Sequence, residues 1–359
     1  MSQSRAVDAA FAAQAADVRA AATRLRGRAV VTPLLDYPLI SARLGFRLLI
    51  KAETLQLTGS FKFRGAGNCL LAAKAADPGL RAVVAFSSGN HAQGVAAAAQ
   101  MLGLKATIVM PSDAPAIKVA NTRGFGAEVV LYERHREDRE AIARAIALKD
   151  KALVVPPYDD PHIIAGQGTV GLEICAQAAA LGVVPDMVLA PCSGGGLIAG
   201  VALAVKEQHP GAEIYAAEPA GFDDLQRSLA AGERLANKPG KPSICDALMA
   251  EKPGALTFPI HQHLLAGSKV VSDDQVLVAM VFALRHLKLV VEPGGSAALA
   301  AVLGMRGELA GKNIVVVCSG GNADPEMIKR AADMADPLVC TIPQIEKISR
   351  KRLSSRPRP

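Results

Sequence analysis

The stretch DMVLAPCSGGGLIAG, residues 186–200, passes from a continuous apolar segment through three consecutive glycines into an alanine-containing segment with helical character. An uninterrupted apolar strand is typical of a parallel sheet that is covered on both faces. Glycines at the turn let the backbone close around an anion at the start of the next helix. The stretch therefore predicts a strand, an anion-binding loop and a helix, in that order.

The same succession of apolar strand and helical segment recurs along the chain. Repeated β–helix–β order predicts an α/β doubly wound architecture. Two parallel-sheet domains suit a length of 359 residues better than one very wide sheet. We predict strands at 47–53, 82–86, 105–110, 127–132, 152–156, 186–191, 213–218 and 313–319, and helices at 91–102, 134–149, 163–180, 196–207 and 272–288.

The net charge of +7 arises from 40 basic and 33 acidic residues. Five of the basic residues lie in the last ten residues, RKRLSSRPRP, which contain no acid, so 7 − 5 leaves +2 for the rest of the chain. We expect residues 336–359 to form a basic C-terminal tail that is partly disordered. No basic patch is interleaved with aromatic residues, so a nucleic-acid partner is not expected.

The cysteines and the N-terminus indicate the compartment. Six cysteines include no C-x-x-C pair and no matching histidine spacing, which argues against structural zinc and against a disulfide framework. Asp8 and Asp17 interrupt the apolar run at the N-terminus, which favours an amphipathic helix over a targeting signal. No stretch approaches 18 uninterrupted apolar residues, so no membrane partner is expected. We expect a cytoplasmic protein with reduced thiols.

Two more strands end in loops that suit a ligand. The loop SSGNHAQG (87–94) follows one predicted strand, and SGGNAD (319–324) follows another. In open parallel sheets, ligands lie outside the carboxyl ends of the strands. Hydroxyl groups and free N–H groups at the start of a helix can bind an anion, although an ordinary Ser/Asn helix cap is the commoner explanation for the loop at 87–94 taken alone.

The glycine loop also supports a different hypothesis. Gly194, Gly196 and Ala199 spell G-x-G-x-x-A, and Glu218 follows at the end of the next predicted strand. This pattern is nearly the fingerprint of a dinucleotide-binding unit, which would indicate an NAD-dependent oxidoreductase. The hypothesis leaves the two serine-containing loops and an unusual lysine, Lys62, without a role.

Lys62 lies between Phe61 and Phe63 in a chain with only nine phenylalanines and no tryptophan. Apolar neighbours remove water from an ammonium group, which lowers its pKa and makes the amine a usable nucleophile. The alternative is a stem packed over the edge of the core with its head in water. Together with the three loops, a nucleophilic lysine provides what pyridoxal phosphate needs: sites for a phosphate and a ring, and an amine for a Schiff base.

Six motifs, in order and in register, resemble the serine/threonine dehydratases and serine racemase, which are pyridoxal-phosphate enzymes of the tryptophan-synthase-β fold, fold type II. They are GSFKFRGAGN, SSGNHAQGVA, PYDDPHIIAGQGT, PCSGGGLIAG, EPGGSAALAAV and VVVCSGGNAD. The resemblance implies a large cofactor-binding domain from residues 1–75 and 160–335, a small mobile domain from 80–156, and a homodimer.

The resemblance also implies the reaction. The expected activity is a dehydratase, or ammonia-lyase, that converts L-threonine, L-serine or 3-hydroxyaspartate to a 2-oxo acid and ammonia by β-elimination. Ser88 matches the base that serves the opposite face in serine racemase, so amino-acid racemisation remains an alternative. Cysteine synthases, which carry out β-replacement, have a different loop after the lysine. A neutral hydroxyl at Ser319 makes the cofactor ring a weaker electron sink, which suits elimination.

Site residues are implied one by one. Lys62 carries the cofactor and moves the α-proton, and Ser88 is the second catalytic group. Asn90 contacts the ring hydroxyl, Ser319 the ring nitrogen, and Phe61 one face of the ring. The remaining cofactor-binding residues are Ser193, Gly194, Gly195, Gly196 and Leu197, and the substrate-binding residues are Ser87, Ser88, Asn90, His91 and Arg139.

The segment EPAGFDD (218–224) resembles the divalent-cation site of the family. Glu218, the carbonyl group of Phe222 and Asp224 would supply oxygen ligands to Mg²⁺ or Ca²⁺. A solvated acidic turn is the alternative. Two positions depart from the family pattern: Ser193 replaces a fourth glycine, and Cys245 stands where relatives have a small residue against the ring.

Overall fold

The computed structural model describes residues 11–338, except residues 88, 115, 134, 135, 239 and 241. Only the first three residues of the predicted basic tail are among them. No helix in this part of the chain is long and apolar enough to cross a bilayer.

The strands of the described residues form two sheets. Their bounds are β1 Leu34–Asp36, β2 Arg47–Ala52, β3 Ala82–Phe86, β4 Lys105–Pro111, β5 Glu128–Tyr132, β6 Leu153–Val154, β7 Met187–Pro191, β8 Glu213–Pro219, β9 Gly267–Val271 and β10 Asn313–Cys318. The larger sheet has the order β1-β2-β10-β7-β8-β9 and the smaller sheet the order β5-β4-β3-β6. Every pairing is parallel except that of β1 with β2. The predicted architecture of two parallel-sheet domains is confirmed.

Helices connect the strands. Their bounds are α1 Ala15–Leu25, α2 Pro38–Leu44, α3 Lys62–Ala76, α4 Asn90–Met101, α5 Ala116–Gly124, α6 Arg139–Asp150, α7 Pro161–Ala180, α8 Gly196–Gln208, α9 Asp224–Ala231, α10 Thr257–Leu264, α11 Asp273–Phe282, α12 Pro293–Gly304 and α13 Pro325–Ala332.

Three predicted elements were wrong at their ends. The helix expected from residue 134 begins at Arg139, because the side chain of Asp138 accepts hydrogen bonds from the first-turn N–H groups and caps it there. The strand expected at 152–156 is shorter in the structure: only Leu153 and Val154, which form β6, pair with β3. The helix expected at 272–288 ends as α11 at Phe282, and a π-helical turn, Ala283–Leu287, follows it.

The larger sheet is buried on both faces, as its continuous apolar strands predict. In β10, Ile314 and Val316 pack into one hydrophobic core with α11 and α12. Val315 and Val317 point to the opposite face and pack with α7 and α8. Side chains alternate between the faces of a strand, so a strand that is apolar at every position requires a covering layer on each side.

A buried ionic network holds the start of α3. Arg64 is 1% exposed and its guanidinium donates to the carboxylates of Glu53 and Glu173 at 2.6–2.8 Å. Lys51 Nζ lies 2.6 Å from the same Glu173. Buried charges are tolerated when each one is paired and hydrogen-bonded, and this network places α3 against β2 and α7. The first residue of α3 is Lys62.

Candidate active site

A cavity of about 510 Å³ is lined by residues that follow strands of both sheets. Ser87 follows β3, the glycine loop follows β7, and Ser319 follows β10. The structure brings together the predicted cofactor and substrate residues that it describes: Phe61, Lys62, Ser87, Asn90, His91, Arg139, Ser193, Gly194, Gly195, Gly196, Leu197 and Ser319. Ser88 lies outside the described residues. We call this cavity the candidate active site.

Lys62 presents an amine to the cavity. Its Nζ donates a hydrogen bond to the carbonyl oxygen of Pro157 at 2.7 Å and lies 5.2 Å from the centre of the Phe61 ring. Burial lowers the pKa of Lys62 to about 8, because the ammonium form loses hydration. Near neutral pH the free-amine fraction is therefore far larger than for an ordinary lysine, as a nucleophilic amine requires.

The loop before α8 has room only for glycine. A Cβ atom at Gly194 would overlap the ring of Tyr158, and one at Gly195 would overlap the imidazole of His261. Gly195 also has φ +94°, which favours glycine. The oxygen of Gly194 accepts from Thr257 Oγ1 at 2.7 Å, which fixes the loop from the outside. The N–H groups that begin α8 have no partner within the helix, so they form an anion site.

Ser193 is the departure from the glycine pattern, and it has a structural contact. Its Oγ accepts a hydrogen bond from the backbone N–H of Ala250 at 3.1 Å. The hydroxyl proton is left free to donate to a phosphate oxygen. Ser193 thus connects the glycine loop to the segment that contains Cys245 and Ala250, and its hydroxyl group can still donate one hydrogen bond.

Asn90 is the first residue of α4 and contacts two other loops. Its Oδ1 accepts from Asn322 Nδ2 at 2.8 Å, and its Nδ2 donates to Glu292 Oε1 at 2.5 Å. Burial raises the pKa of Glu292 to about 7, so this carboxyl group holds a proton readily. The amide of Asn90 is therefore held from both sides.

His91 is buried in the cavity wall, with its Nε2 at 3.0 Å from the carbonyl oxygen of Val155. A carbonyl oxygen can only accept, so Nε2 carries the proton. Burial, together with the charge of Lys62, lowers the pKa of His91 to about 3. This imidazole is neutral at physiological pH.

Arg139 lies at the edge of the cavity, where its guanidinium is 5.3 Å from the centre of the Phe86 ring. The residue is exposed, as a charged helix face predicts, yet it also lines the cavity. Stacking on an aromatic ring holds a guanidinium in place while leaving its N–H donors free. Ser87, directly after Phe86, accepts through its Oγ from the N–H of Gly89 at 3.2 Å.

Ser319 directly follows β10, the third strand that contributes to the site. Its carbonyl oxygen accepts from the N–H of Phe61 at 3.1 Å, and its own N–H donates to Gly295 at 3.3 Å. These backbone contacts place Ser319 beside Phe61, the residue that precedes Lys62.

The predicted cation residues lie together but outside the cavity lining. Glu218 is the last residue but one of β8, Phe222 lies in the following turn, and Asp224 begins α9. Both Glu218 oxygens accept hydrogen bonds, from the N–H groups of Leu225 and Gln226 and from a serine hydroxyl. Burial raises the pKa of Glu218 to about 7 and that of Asp224 to about 6. The described residues contain no group of three or more His, Cys, Asp or Glu suited to a metal ion.

Several residues of the site were not predicted. Glu292 and Tyr158 lie inside quoted motifs, and Lys118 and Asp246 lie on opposite sides of the cavity. Only the motifs themselves, EPGG and PYDD, gave a signal for the first two. Lys118 and Asp246 meet through an ion pair between residues 128 positions apart, which no local pattern indicates.

The two sheets, the cavity between their loops, the glycine loop and the desolvated lysine define a cofactor-dependent α/β enzyme. A family model described as pyridoxal-phosphate dependent enzyme matches residues 26–320. The chain belongs to this family of pyridoxal-phosphate-dependent enzymes. The predicted class, a fold type II lyase of the dehydratase type, is confirmed, and the family match overrides the hypothesis of an NAD-dependent oxidoreductase.

Three relatives place the chain within the family. It is 41% identical over 310 residues to an L-threo-3-hydroxyaspartate ammonia-lyase from Pseudomonas sp, with 86% of this chain and 95% of the relative covered. It is 37% identical to a serine racemase from Schizosaccharomyces pombe, with 86% and 94% covered. The crystal structure of a threonine deaminase from T.th. superposes with a TM-score of 0.81 at 44% identity, with 86% and 98% covered.

Proposed function

We propose that the protein is an ammonia-lyase that converts a β-hydroxy-α-amino acid, L-threonine, L-serine or 3-hydroxyaspartate, to a 2-oxo acid and ammonia. The observation that carries the proposal is the amine of Lys62, which lies in one cavity with a glycine loop and has a pKa of about 8. The named activities of the Pseudomonas ammonia-lyase and the T.th. threonine deaminase support elimination over racemisation.

The residues of the cavity fit pyridoxal phosphate. When bound, this cofactor withdraws electrons from the α-carbon of an amino acid. Lys62 would hold the cofactor and take up the α-proton. The N–H groups of the loop from Ser193 to Leu197 would hold the phosphate, and the loop keeps this shape only with glycine at 194 and 195, where a Cβ atom would overlap Tyr158 or His261.

The rest of the cofactor contacts are proposed from the same cavity. Phe61 would lie against one face of the ring and Asn90 would donate to the ring hydroxyl. Ser319 would face the ring nitrogen, and its neutral hydroxyl does not protonate that nitrogen. A weakly electron-withdrawing ring favours rapid loss of the β-hydroxyl group over transamination.

For the substrate, we assign Ser87, Ser88, Asn90 and His91 to the α-carboxylate, with Asn90 acting through its backbone N–H group at the start of α4. The neutral His91 donates its Nε2 proton to the carbonyl oxygen of Val155, so its ring packs against this part of the cavity and contributes no charge. Arg139 would bind a second carboxylate, because its stacked guanidinium has free donors at the edge of the cavity. This assignment favours 3-hydroxyaspartate over L-threonine or L-serine.

Amino-acid racemisation is the second candidate. A racemase needs a proton donor on the face opposite Lys62, and Ser88 is the residue proposed for that position. The Schizosaccharomyces pombe relative that is named serine racemase supports this candidate. Changing Ser88 to Ala would remove racemisation and leave elimination if the two activities share the cavity.

The absorption spectrum tests the proposal directly. The wild-type protein should show a visible band of lysine-bound cofactor that changes on addition of a substrate and is accompanied by ammonia release, and Lys62→Ala should lose both. Arg139→Met should lower kcat/KM for 3-hydroxyaspartate by about tenfold or more and leave L-threonine nearly unchanged. Arg144→Met, on the exposed face of the same helix, is the matched control. A protein that binds no pyridoxal phosphate contradicts the proposal.

A divalent cation, Mg²⁺ or Ca²⁺, is proposed at Glu218, Phe222 and Asp224. Asp224 Oδ2 is buried without a hydrogen-bond partner, so it is available as an oxygen ligand for a hard cation. Addition of MgCl₂ or CaCl₂ should raise the melting temperature of the wild type, and Asp224→Asn should remove that rise. Equal rises in both proteins would contradict the site.

We propose a homodimer whose interface includes an apolar patch of Val30, Val31, Leu55 and Leu57, all of them exposed. Gln56 joins the two segments by hydrogen bonds to the N–H and the oxygen of Val30 at 2.9 and 2.8 Å. Exposed neighbouring apolar side chains of this kind favour an interface. Leu57→Lys should give a monomer by light scattering, whereas Leu148→Lys, on an exposed helix face, should not.

The domain boundaries and the compartment follow the same reasoning. We propose a large cofactor-binding domain from 1–75 and 160–335 and a small mobile domain from 80–156, since strands β3–β6 form the smaller sheet by themselves. A cytoplasmic location is proposed because the five described cysteines are free and buried.

A further inference from the structure

A chain of hydrogen bonds runs from Thr58 through Asn322 and Asn90 to Glu292, and its last two residues line the candidate active site. Asn322 Nδ2 donates to the carbonyl oxygen of Thr58 at 2.9 Å and to Asn90 Oδ1 at 2.8 Å. Asn90 Nδ2 then donates to Glu292 Oε1 at 2.5 Å. The chain joins the loops that precede α3 and α4 to those that precede α12 and α13.

The direction of this chain is forced by chemistry. The Thr58 carbonyl can only accept, so the NH₂ group of Asn322 must face it. That NH₂ group has two protons, and the second one faces Asn90, so the Asn90 atom on this side must be its oxygen. The NH₂ group of Asn90 consequently faces Glu292. One orientation of the Asn90 amide is selected although its two ends are similar in shape.

Two glycines keep the chain compact. A Cβ atom at Gly59 would overlap Asn322 Oδ1, and a Cβ atom at Gly320 would overlap Glu292 Oε1. Glu292 is only 4% exposed, so water does not replace its contact with Asn90. An amide held this way keeps its orientation whether or not a ligand is bound.

We propose that Asn322 and Glu292 are positioning residues that turn the NH₂ group of Asn90 toward the cavity. One Asn90 proton is used by Glu292, and the other is free to donate to a cofactor oxygen. The inference rests on the proposed function, in which Asn90 contacts the ring hydroxyl of pyridoxal phosphate. It assigns the orientation of that contact to two residues that act through Asn90.

Asn322→Asp tests the inference, because it keeps the shape of residue 322 and replaces its donor with an acceptor. Asn90 should then turn its NH₂ group toward residue 322 and present its oxygen to the cavity. The expected result is a cofactor affinity about tenfold weaker by equilibrium dialysis of the holoenzyme, and a shifted absorption maximum of the lysine-bound cofactor. Asn313→Asp is the matched control, because Asn313 Nδ2 also donates to a backbone oxygen, that of Val184, far from the cavity.

Glu292 gives an independent test with a conservative rescue. Glu292→Leu removes the acceptor and should shift the absorption maximum, whereas Glu292→Gln keeps an acceptor oxygen and should restore the wild-type maximum. An Asn322→Asp holoenzyme with wild-type affinity and absorption maximum would overturn the inference, as would the failure of Gln to restore them. A wild type that binds no pyridoxal phosphate would overturn the inference and the proposed function together.

Discussion

Lys118 Nζ lies 2.5 Å from Asp246 Oδ2, and this ion pair connects α5, a helix beside the smaller sheet, to a 3-10 helix, Asp246–Leu248, that packs against α12 beside the larger sheet. Both residues line the candidate active site. The lysine side chain is 15% exposed and the aspartate 47% exposed, so solvent weakens the pair. Its position matters more than its strength, because it ties the two sides of the cavity together.

Breaking this ion pair should affect catalysis more than stability. Lys118→Met should lower kcat/KM by about two- to fivefold, since an exposed pair contributes about 0.2–1 kcal/mol, and should leave the melting temperature almost unchanged. Asp246→Asn should have a similar effect, and the double variant should be no worse than either single one. Steady-state kinetics of the four proteins form a double-mutant cycle, and simple additivity would contradict the coupling.

The lowered pKa of Lys62 predicts how cofactor attachment depends on pH. Only the neutral amine attacks an aldehyde, so the attachment rate should rise about tenfold for each pH unit below 8 and level off above it. Mixing the apoprotein with pyridoxal phosphate and following the visible band measures this rate. For the control amine, Nα-acetyl-lysine, the rate of attachment should still be rising at pH 10. If the pH at which the rate is half-maximal were as high for the protein as for Nα-acetyl-lysine, the result would contradict the lowered pKa of Lys62.

Local sequence predicted the central elements well. The glycine loop follows β7, and α8 begins at Gly196 as predicted. The bounds of β10 differ by one residue from the predicted 313–319. In these elements the hydrophobic pattern and the turn residues agree. β1 was missed because it has only three residues, and β9, GSKVV, because it includes glycine, serine and lysine.

Some site residues were predictable from their local sequence, and others depend on contacts between distant parts of the chain. Lys62 and the glycines stand out because their own neighbours carry the signal. The pairing of Glu292 with Asn90 spans 202 residues and depends on how two loops meet, so no local pattern predicts it. The start of α6 at Arg139 could have been predicted, since Asp138 is of a residue type that commonly caps a helix at its N-terminus.

The glycine loop should tolerate no side chain. Gly195→Ala should weaken pyridoxal-phosphate affinity by at least about tenfold, because its Cβ atom would overlap His261 and move the loop. Gly182→Ala is the matched control: Gly182 also has positive φ, at +65°, but no atom lies within 4 Å of its Cβ position. The control should lose about 1–2 kcal/mol of stability and keep its affinity for the cofactor. Equal affinities in the two variants would contradict the steric argument.

Arg64 should be the most important charged residue for stability outside the cavity. Arg64→Met leaves the buried carboxylate of Glu53 without its partner and should lower the free energy of unfolding by about 3–5 kcal/mol in urea titrations. Arg47→Met removes a more exposed pair, with Asp36, and should cost less than about 1 kcal/mol.

The double variant Arg64→Met/Glu53→Gln distinguishes two costs of losing Arg64. One is the lost attraction between Arg64 and Glu53, and the other is the Glu53 carboxylate that is left buried without an ion-pair partner. Burial opposes ionisation of Glu53, but the charge and hydrogen bonds of Arg64 outweigh it and lower the pKa of Glu53. Without Arg64 the opposing effect of burial dominates, so removing the carboxylate charge should restore part of the stability, while Lys51 still neutralises Glu173. No recovery in the double variant would mean that the cost of Arg64→Met comes from lost packing of the arginine stem.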